Sequence, residues 1–448
     1  MVIDATPMTP LIRTATAILF AVSVATSHAL DFQGVSDKVI EITPEASSGL
    51  KSVYVLRDAT GATVSYPSPT ARWSTFGAAG GAYAEPIESS TSASASSITL
   101  GKGDCGIIVE DAGRQHCYWI VDYSDHEFEL DAVQPIDGEY ACDNVMLHIS
   151  GKADAIRYYS INGRELILDR EISVSYPTLV YDEESARYIQ ADHQASLPFF
   201  SASSHVPAPL CDTHFSVSGD RFLKVWGDEQ SATSGEYRAV AVDAHTHAEQ
   251  TDRDVENEQN PGTPGLGGSA PCEVTFSADV TDAAVHHEWQ MSRTPEFDIL
   301  ENSYNETTFS YTFTENGTLY VRFTAANADG TCTYTGETYE VGIGESKLVC
   351  PNAFTPFTSP GVNDEWRVSY QSIIDFKCDI FNRWGSKIIT LTHPSQGWDG
   401  THGGKKVGSG VYYYVIRARG ADGKDYNLSG DINIIGSRER SSSVPPSE

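Results

Sequence analysis

The chain has 448 residues and sets 61 Asp and Glu against 30 Lys and Arg, a formal net charge of −31. That surface repels phosphate, which excludes a protein that tracks nucleic acid by displacing counterions, and an anionic lipid leaflet repels it equally. The length predicts several domains, and 22 Tyr and 17 Phe beside only four Met favour strand-built cores.

Residues 1–29 read as a secretory signal peptide. Arg13 precedes an apolar run at 14–25 (TATAILFAVSVA), and Ser27-His28-Ala29 offers a small-x-small cleavage site. No later stretch approaches the ~18 consecutive apolar residues of a membrane span. Short runs rich in Val, Ile, Tyr and Phe then recur at 51–57 (KSVYVLR), 144–150 (NVMLHIS), 318–325 (TLYVRFTA) and 411–418 (VYYYVIRA), divided by turn dipeptides such as Asp137-Gly138, Asn162-Gly163 and Asp422-Gly423. The pattern predicts an all-β chain of tandem sandwiches.

A first β-sandwich module is expected over 30–135, with 89–97 (SSTSASASS) as a flexible loop. A second is expected over 136–245; its best helical candidate is 183–194. The acidic, Gly- and Pro-rich stretch 246–271 reads as a linker. A third module spans 272–345, where Cys272, Trp289 and Cys332 invite an immunoglobulin comparison. It resembles the polycystic-kidney-disease-type (PKD-like) sandwich used as a spacer in bacterial surface proteins. The polar tail 437–448 is expected to be disordered.

All eight cysteines follow the signal peptide, which predicts disulfides. If each of four modules holds its own pair, the bridges are Cys105–Cys117, Cys142–Cys211, Cys272–Cys332 and Cys350–Cys378.

Catalytic and metal signatures are absent from the sequence: it has no G-x-S-x-G, no P-loop, no H-E-x-x-H and no C-x-x-C. His245 and His247 share one strand face, and His286-His287-Glu288 clusters, but neither shows a third ligand. Asp252-Arg-Asp254-Val-Glu256-Asn-Glu258 alternates carboxylates as a calcium loop does, without the glycine and terminal glutamate of one. The chain therefore reads as a non-enzyme with no cofactor and no metal.

The region from 350 onward is more specific. It reads Cys350-Pro-Asn352-Ala-Phe354-Thr-Pro, then Gly361-Val-Asn363-Asp364, then Ile380-Phe381-Asn382-Arg383-Trp384-Gly385. Gly397-Trp398-Asp399-Gly400 and Ser409-Gly410-Val-Tyr412-Tyr-Tyr414 follow, and a hairpin ends in Gly430-Asp-Ile-Asn-Ile-Ile435. Phe381 and Trp384 around Arg383 predict buried aromatics beside a guanidinium. Trp398-Asp399-Gly400 predicts a turn carrying an aromatic plug, and 412–416 a strand apolar on both faces.

Over 350–436 this ordered set resembles the gliding motility-associated C-terminal domain, the type B sorting domain of type IX secretion in Bacteroidetes. It departs where the family usually has Asn-Gly-Asp-Gly and this chain has Phe357-Thr-Ser-Pro360. The resemblance implies a small β-sandwich sorting domain, with these motif residues as its sorting and docking set. It also implies export through the type IX translocon, docking on a PorP/SprF-like outer-membrane protein, and a place on the exterior of the outer membrane. The upstream sandwiches then serve as adhesive or structural modules toward an extracellular glycan or protein ligand. A dedicated component of the secretion and gliding machinery is the alternative, and a secreted hydrolase the next. The charge divides accordingly: residues 30–349 hold 50 acidic and 18 basic side chains, whereas 350–448 hold 10 and 11.

Overall fold

The computed structural model describes residues 30–136, 141–198, 200–253, 255–259, 265–358 and 361–436. The signal peptide, the tail, the Asp137-Gly138 turn, Asp254 and the end of the 357–360 loop lie outside the described residues. Among them the regular structure is strand throughout, apart from three single 3-10 turns and one short helix, Arg221–Trp226.

The first segment is built on two strands with no solvent face. Ser52–Leu56 is buried at all five positions and Arg114–Asp122 from Cys117 onward. Strands covered on both sides carry unbroken apolar runs, here SVYVL and CYWIV. They lie parallel to each other as the second and third strands of a six-stranded sheet. One face packs Tyr54, Trp73, Ile107, Tyr118 and Ile120 toward a four-stranded sheet. The other places Val53, Val55, Phe76, Trp119 and Val121 in a core shared with Leu147, Ile156, Tyr158 and Val174 of the next segment.

The expected division at 135/136 is therefore corrected. Phe128–Ile136 pairs with Asn144–Ala153 and belongs to the second sandwich, and the two segments share one core. The supposed loop 89–97 contains the strands Ser90–Thr91 and Ser96–Thr99, because Ser96 turns inward to accept from the Trp73 indole at 2.9 Å. The helical candidate 183–194 is instead the turn and return strand of the hairpin Ile172–Asp182/Arg187–Leu197.

A buried ion pair locks these two segments together. The Arg170 guanidinium, 2% exposed, donates to Asp220 at 2.6 Å, to the His126 carbonyl at 2.7 Å and to the Asp154 carbonyl at 2.8 Å. Asp220, fully buried, caps the helix by accepting from the amides of Phe222 and Leu223, and it also takes the Tyr123 hydroxyl at 3.0 Å. Desolvation first, then the adjacent Asp220 carboxylate, pushes that phenol far above its ordinary value. The short helix in turn reaches the first sandwich, Trp226 donating its indole N–H to the Lys38 carbonyl.

The third sandwich sets the sheet Ala244–Gln250/Cys272–Val280/Thr308–Phe313 against a five-stranded sheet centred on Gly317–Ala326. Trp289, Phe276, Phe323 and Val321 are fully buried between them. The stretch expected to be a linker, 246–271, is thus largely structured. It begins as the strand Ala244–Gln250 and ends as Leu266–Gly268, parallel to Thr333–Ile343. Between them residues 255–259 form a strap on the C-terminal domain. Asn257 donates to the carbonyls of Val368 and Pro394, Gln259 donates its backbone N–H to the Tyr370 carbonyl, and Glu256 pairs with Arg367 at 2.8 Å. Asn257 and Gln259 thus hydrogen-bond a neighbouring backbone, a use that composition does not distinguish from solvation.

The cysteine scheme is also corrected. One bridge is present, Cys142–Cys332, joining the second and third sandwiches with a Cα separation of 5.3 Å across 190 residues of sequence. Cys105, Cys117, Cys211, Cys272, Cys350 and Cys378 are free thiols. Cys105 stands opposite Ile120 and Cys117 opposite Ile108, three positions out of register and so on opposite faces of the sheet. Cys272 pairs with Phe313 just before the ten-residue strand Gly317–Ala326 begins, whereas Cys332 follows its other end. That strand separates them by about 30 Å. Cys142, two residues before its strand, bonds Cys332 rather than Cys211, and Cys350, near both Cys378 and the Tyr414 hydroxyl, remains a free thiol.

Where the third sandwich meets the C-terminal domain, Asp422 accepts from the Ser346 amide at 3.1 Å and hydroxyl at 2.7 Å, and that hydroxyl lies 2.9 Å from the Tyr426 hydroxyl. Burial raises the Asp422 carboxyl, but the Ser346 hydroxyl and the amides of Lys424 and Ser346 outweigh it and hold the group below its ordinary value.

Three measurements follow from these joints. Non-reducing peptide mapping recovers a Cys142–Cys332 peptide pair, and Cys332→Ser removes up to about 5 kcal/mol from unfolding measured by denaturant. Asp220→Ala strands the buried guanidinium and costs about 3–5 kcal/mol in the same assay. Because the folded Asp422 titrates below its unfolded value of about 3.9, its contribution is complete above that pH and fades below it. The protection factor of the Ser346 amide, its exchange rate divided into the intrinsic rate at each pH, should therefore fall on acidification below about pH 4 in the wild type, and be insensitive to that step in Asp422→Asn.

Candidate docking surface of the C-terminal domain

The C-terminal domain centres on the five-stranded sheet Ala353–Phe354, Asp425–Ile434, Gly410–Gly420, Ile373–Phe381 and Lys387–Leu391. Its inner face holds Phe354, Trp366, Ile380, Trp398, Tyr412, Ile416 and Ile432. Trp398 is fully buried, edge-on to Tyr412 at 5.0 Å, its indole N–H donating to the Thr401 carbonyl. Its backbone exchanges two hydrogen bonds with Trp366. Asp399 accepts from the amide and hydroxyl of Thr401, which tightens the following turn, and Gly400 takes φ +75° where a Cβ would strike Pro356.

Other motif residues are fastened through backbone. The Asn352 carbonyl accepts from Asn433 and fixes Phe354 beside Ile434. The Asn363 carbonyl accepts from Thr355, with Asn363 at φ +54°, and Asp364 accepts from the Gly361 amide. Gly410 opens the central strand, in which Tyr412 donates to the Gly408 carbonyl at 3.0 Å.

The turn 382–385 differs from its expected role. Asn382 accepts on its side-chain oxygen from the amides of Trp384 and Ser386, its own amide meets the Ser386 carbonyl, and Gly385 closes the turn at φ +80°. This points Trp384 outward, 73% exposed, with the Arg383 guanidinium 4.2 Å from the ring centroid. Trp384 is thus a displayed residue and not a core one.

The strand 412–416 is corrected in the same sense, because only its Tyr412 face is buried. On the other face Val411, Tyr413 and Val415 are 43%, 46% and 44% exposed. Cross-strand, Tyr413 stands between Asp431 and Phe381, and Val415 between Ser429 and Asp379. The Thr390 hydroxyl, then Lys387 and Lys377, hold the Asp379 carboxyl below its ordinary value. An unbroken Val-Tyr-Tyr-Tyr-Val-Ile run is the usual mark of a doubly covered strand, so the sequence pointed away from this open face; its charged cross-strand partners Asp379 and Asp431 were the available signal.

The remaining candidates from the sequence are dispersed. His245 stacks on Tyr181 at 3.7 Å between the second and third sandwiches. His286 and His287 lie 3.3 Å from the carbonyls of Ala328 and Ala284, and Glu288 accepts from Gln290. Among the described residues no three His, Cys, Asp or Glu side chains gather as metal ligands. Burial first, and the nearby Cys350 second, pushes the Cys378 thiol up to about 12.

Residues 348–434 match the CHU_C type IX secretion signal domain, and residues 134–234 match the fibronectin type III domain. No curated protein matches the sequence. Similar solved structures include a tetra-tandem repeat from the extending region of a large adhesion protein, 11% identical, covering 85% of this chain and 96% of that one with a TM-score of 0.21. The fibronectin(III)-like modules of CbhA from Clostridium thermocellum are 14% identical over 44% of this chain and 100% of theirs, with a TM-score of 0.18. Dimeric latent PorU from Porphyromonas gingivalis is 12% identical over 72% of this chain and 35% of that one, with a TM-score of 0.16. The two domain matches fall on the second sandwich and on the sheet just described: the chain carries a type IX secretion signal domain at 348–434 behind a fibronectin type III module.

Proposed function

We propose that this chain is exported by the type IX machinery to the cell surface, where it acts without catalysis as a stiff structural or adhesive stalk. The signal domain at 348–434 carries the reading. Through that domain the chain docks on a PorP/SprF-like outer-membrane protein. The upstream sandwiches suit a presenting role because each is tied to the next: a shared core and the Arg170–Asp220 pair, then the Cys142–Cys332 bridge, then the 255–259 strap. Sandwiches joined by ordinary linkers would move independently. The acidic excess of 30–349 keeps the presented part away from anionic surfaces, and the near-neutral signal domain lacks that repulsion.

Deleting 348–448 should trap the protein in the periplasm while the intact chain becomes sensitive to protease added outside whole cells. Surface exposure of the truncated chain equal to that of the intact one rejects the reading.

A further inference from the structure

We propose that the far end of the signal-domain sheet, formed by Trp384, Arg383, Phe381, Val411, Tyr413 and Val415, is the face gripped by an outer-membrane protein of the export machinery. Its partner offers an apolar cleft with a carboxylate at the rim. The inference rests on the reading of 348–434 as an export and docking domain, and it assigns the surface that does the docking.

The domain has two ends, and one is occupied. Ala421 accepts from the Asn316 amide, Asp422 and Tyr426 hold Ser346, and Ser372 donates its amide to Ser269. Strand register carries the sheet away from that contact. Ile373 stands opposite Gly420 at the near end, Phe381 opposite Tyr413 and Gly410 opposite Ile434 at the far one. Eight strand steps put the 382–385 turn about 27 Å from the third sandwich.

The outward side chains change character along that length. Near the joint they are Asp375, Lys377, Arg417, Arg419, Asp425 and Asn427, all exposed as a solvated sheet face requires, with Ile374 the one exposed apolar side chain among them, at the bulge. At the far end the same face carries Val415, Tyr413, Val411 and Phe381 in a row edged by Asp379 and Asp431, with Trp384 beside them. Solvation gives no reason for that change, whereas an interface does.

The far end is also pre-organised. Hydrogen bonds to Asn382 hold the turn that displays Trp384, so little ordering is left to occur on binding. Trp, Tyr and Arg are the side chains that dominate binding energy when they fill a partner's pocket. Arg383 makes no ion pair among the described residues and rests only on the indole, which leaves its charge for a carboxylate across the interface. A net charge near zero in 350–448 removes the repulsion that the upstream −32 would impose on such a partner.

The test uses the full chain in cells with type IX export. It compares the double variant Trp384→Ala/Tyr413→Ser, the conservative Trp384→Phe, and the near-end control Lys377→Ala/Arg417→Ala. Surface protein is measured by protease shaving, and partner capture by cross-linking in isolated outer membranes. All three variants should melt with the wild type, since these side chains are exposed. The double variant should lose about thirtyfold in partner capture and fall correspondingly at the surface, while Trp384→Phe and the control stay near wild type. Wild-type capture and surface level in the double variant, with the 348–448 deletion still trapped, overturns the assigned surface and leaves the docking reading standing. Normal export of the deletion overturns both. Flotation of the purified wild type, but not the double variant, with protein-free outer-membrane lipid vesicles overturns the protein partner in favour of lipid.

Discussion

A guanidinium withdrawn from water must have its donors met, and at Arg170 the acceptors come from separate stretches of chain: the His126 and Asp154 carbonyls and the Asp220 carboxylate. The requirement fixes how the end of the first sandwich meets the second, because moving any one stretch leaves a buried charge unpaired. Asp220 then spends its other oxygen on the first turn of the helix, whose Trp226 returns to the Lys38 carbonyl. An apolar replacement of similar volume could match the stability of such a pair, but it would not impose the same directional set of partners. The later joints extend the body so defined, one by a covalent bond and one by a strap of polar side chains.

Much of the architecture was legible in the sequence because strand runs and turn dipeptides are local. The run at 51–57 becomes Ser52–Leu56 and the run at 411–418 becomes Gly410–Gly420. The C-terminal segment was recognisable because five short motifs occur in order. The errors share a physical origin: each treated a module as closed. Cysteine pairing within modules missed Cys142–Cys332 because nothing local marks a partner 190 residues away. The stretch 246–271 reads as linker because Asn257, Arg253 and Glu258 are polar, yet in the fold Asn257 serves the backbone of another domain and Arg253 pairs with Glu258, 2.9 Å away, and with the Ser269 carbonyl.

The display face was misread for a related reason. Tyr412 and Tyr413 are the same residue type at adjacent positions, and strand geometry sends them to opposite sides. Tyr412 is 9% exposed and Tyr413 46%. Hydropathy assigns them one environment. Only the cross-strand register, which sets Tyr413 between Asp431 and Phe381, reveals that its face is shared with carboxylates.

The Cys142–Cys332 bridge carries a consequence for the order of events. Its sulfurs belong to two sandwiches that are each assembled from distant strands, so they meet only once both have folded. Oxidation of this pair is therefore a late step that certifies the finished pair of domains, unlike a bridge within one hairpin. A chain in which it has closed can no longer be drawn out as a thread without reduction. Any channel that passes it must be wide enough for a sandwich of two sheets about 10 Å apart together with their outward side chains.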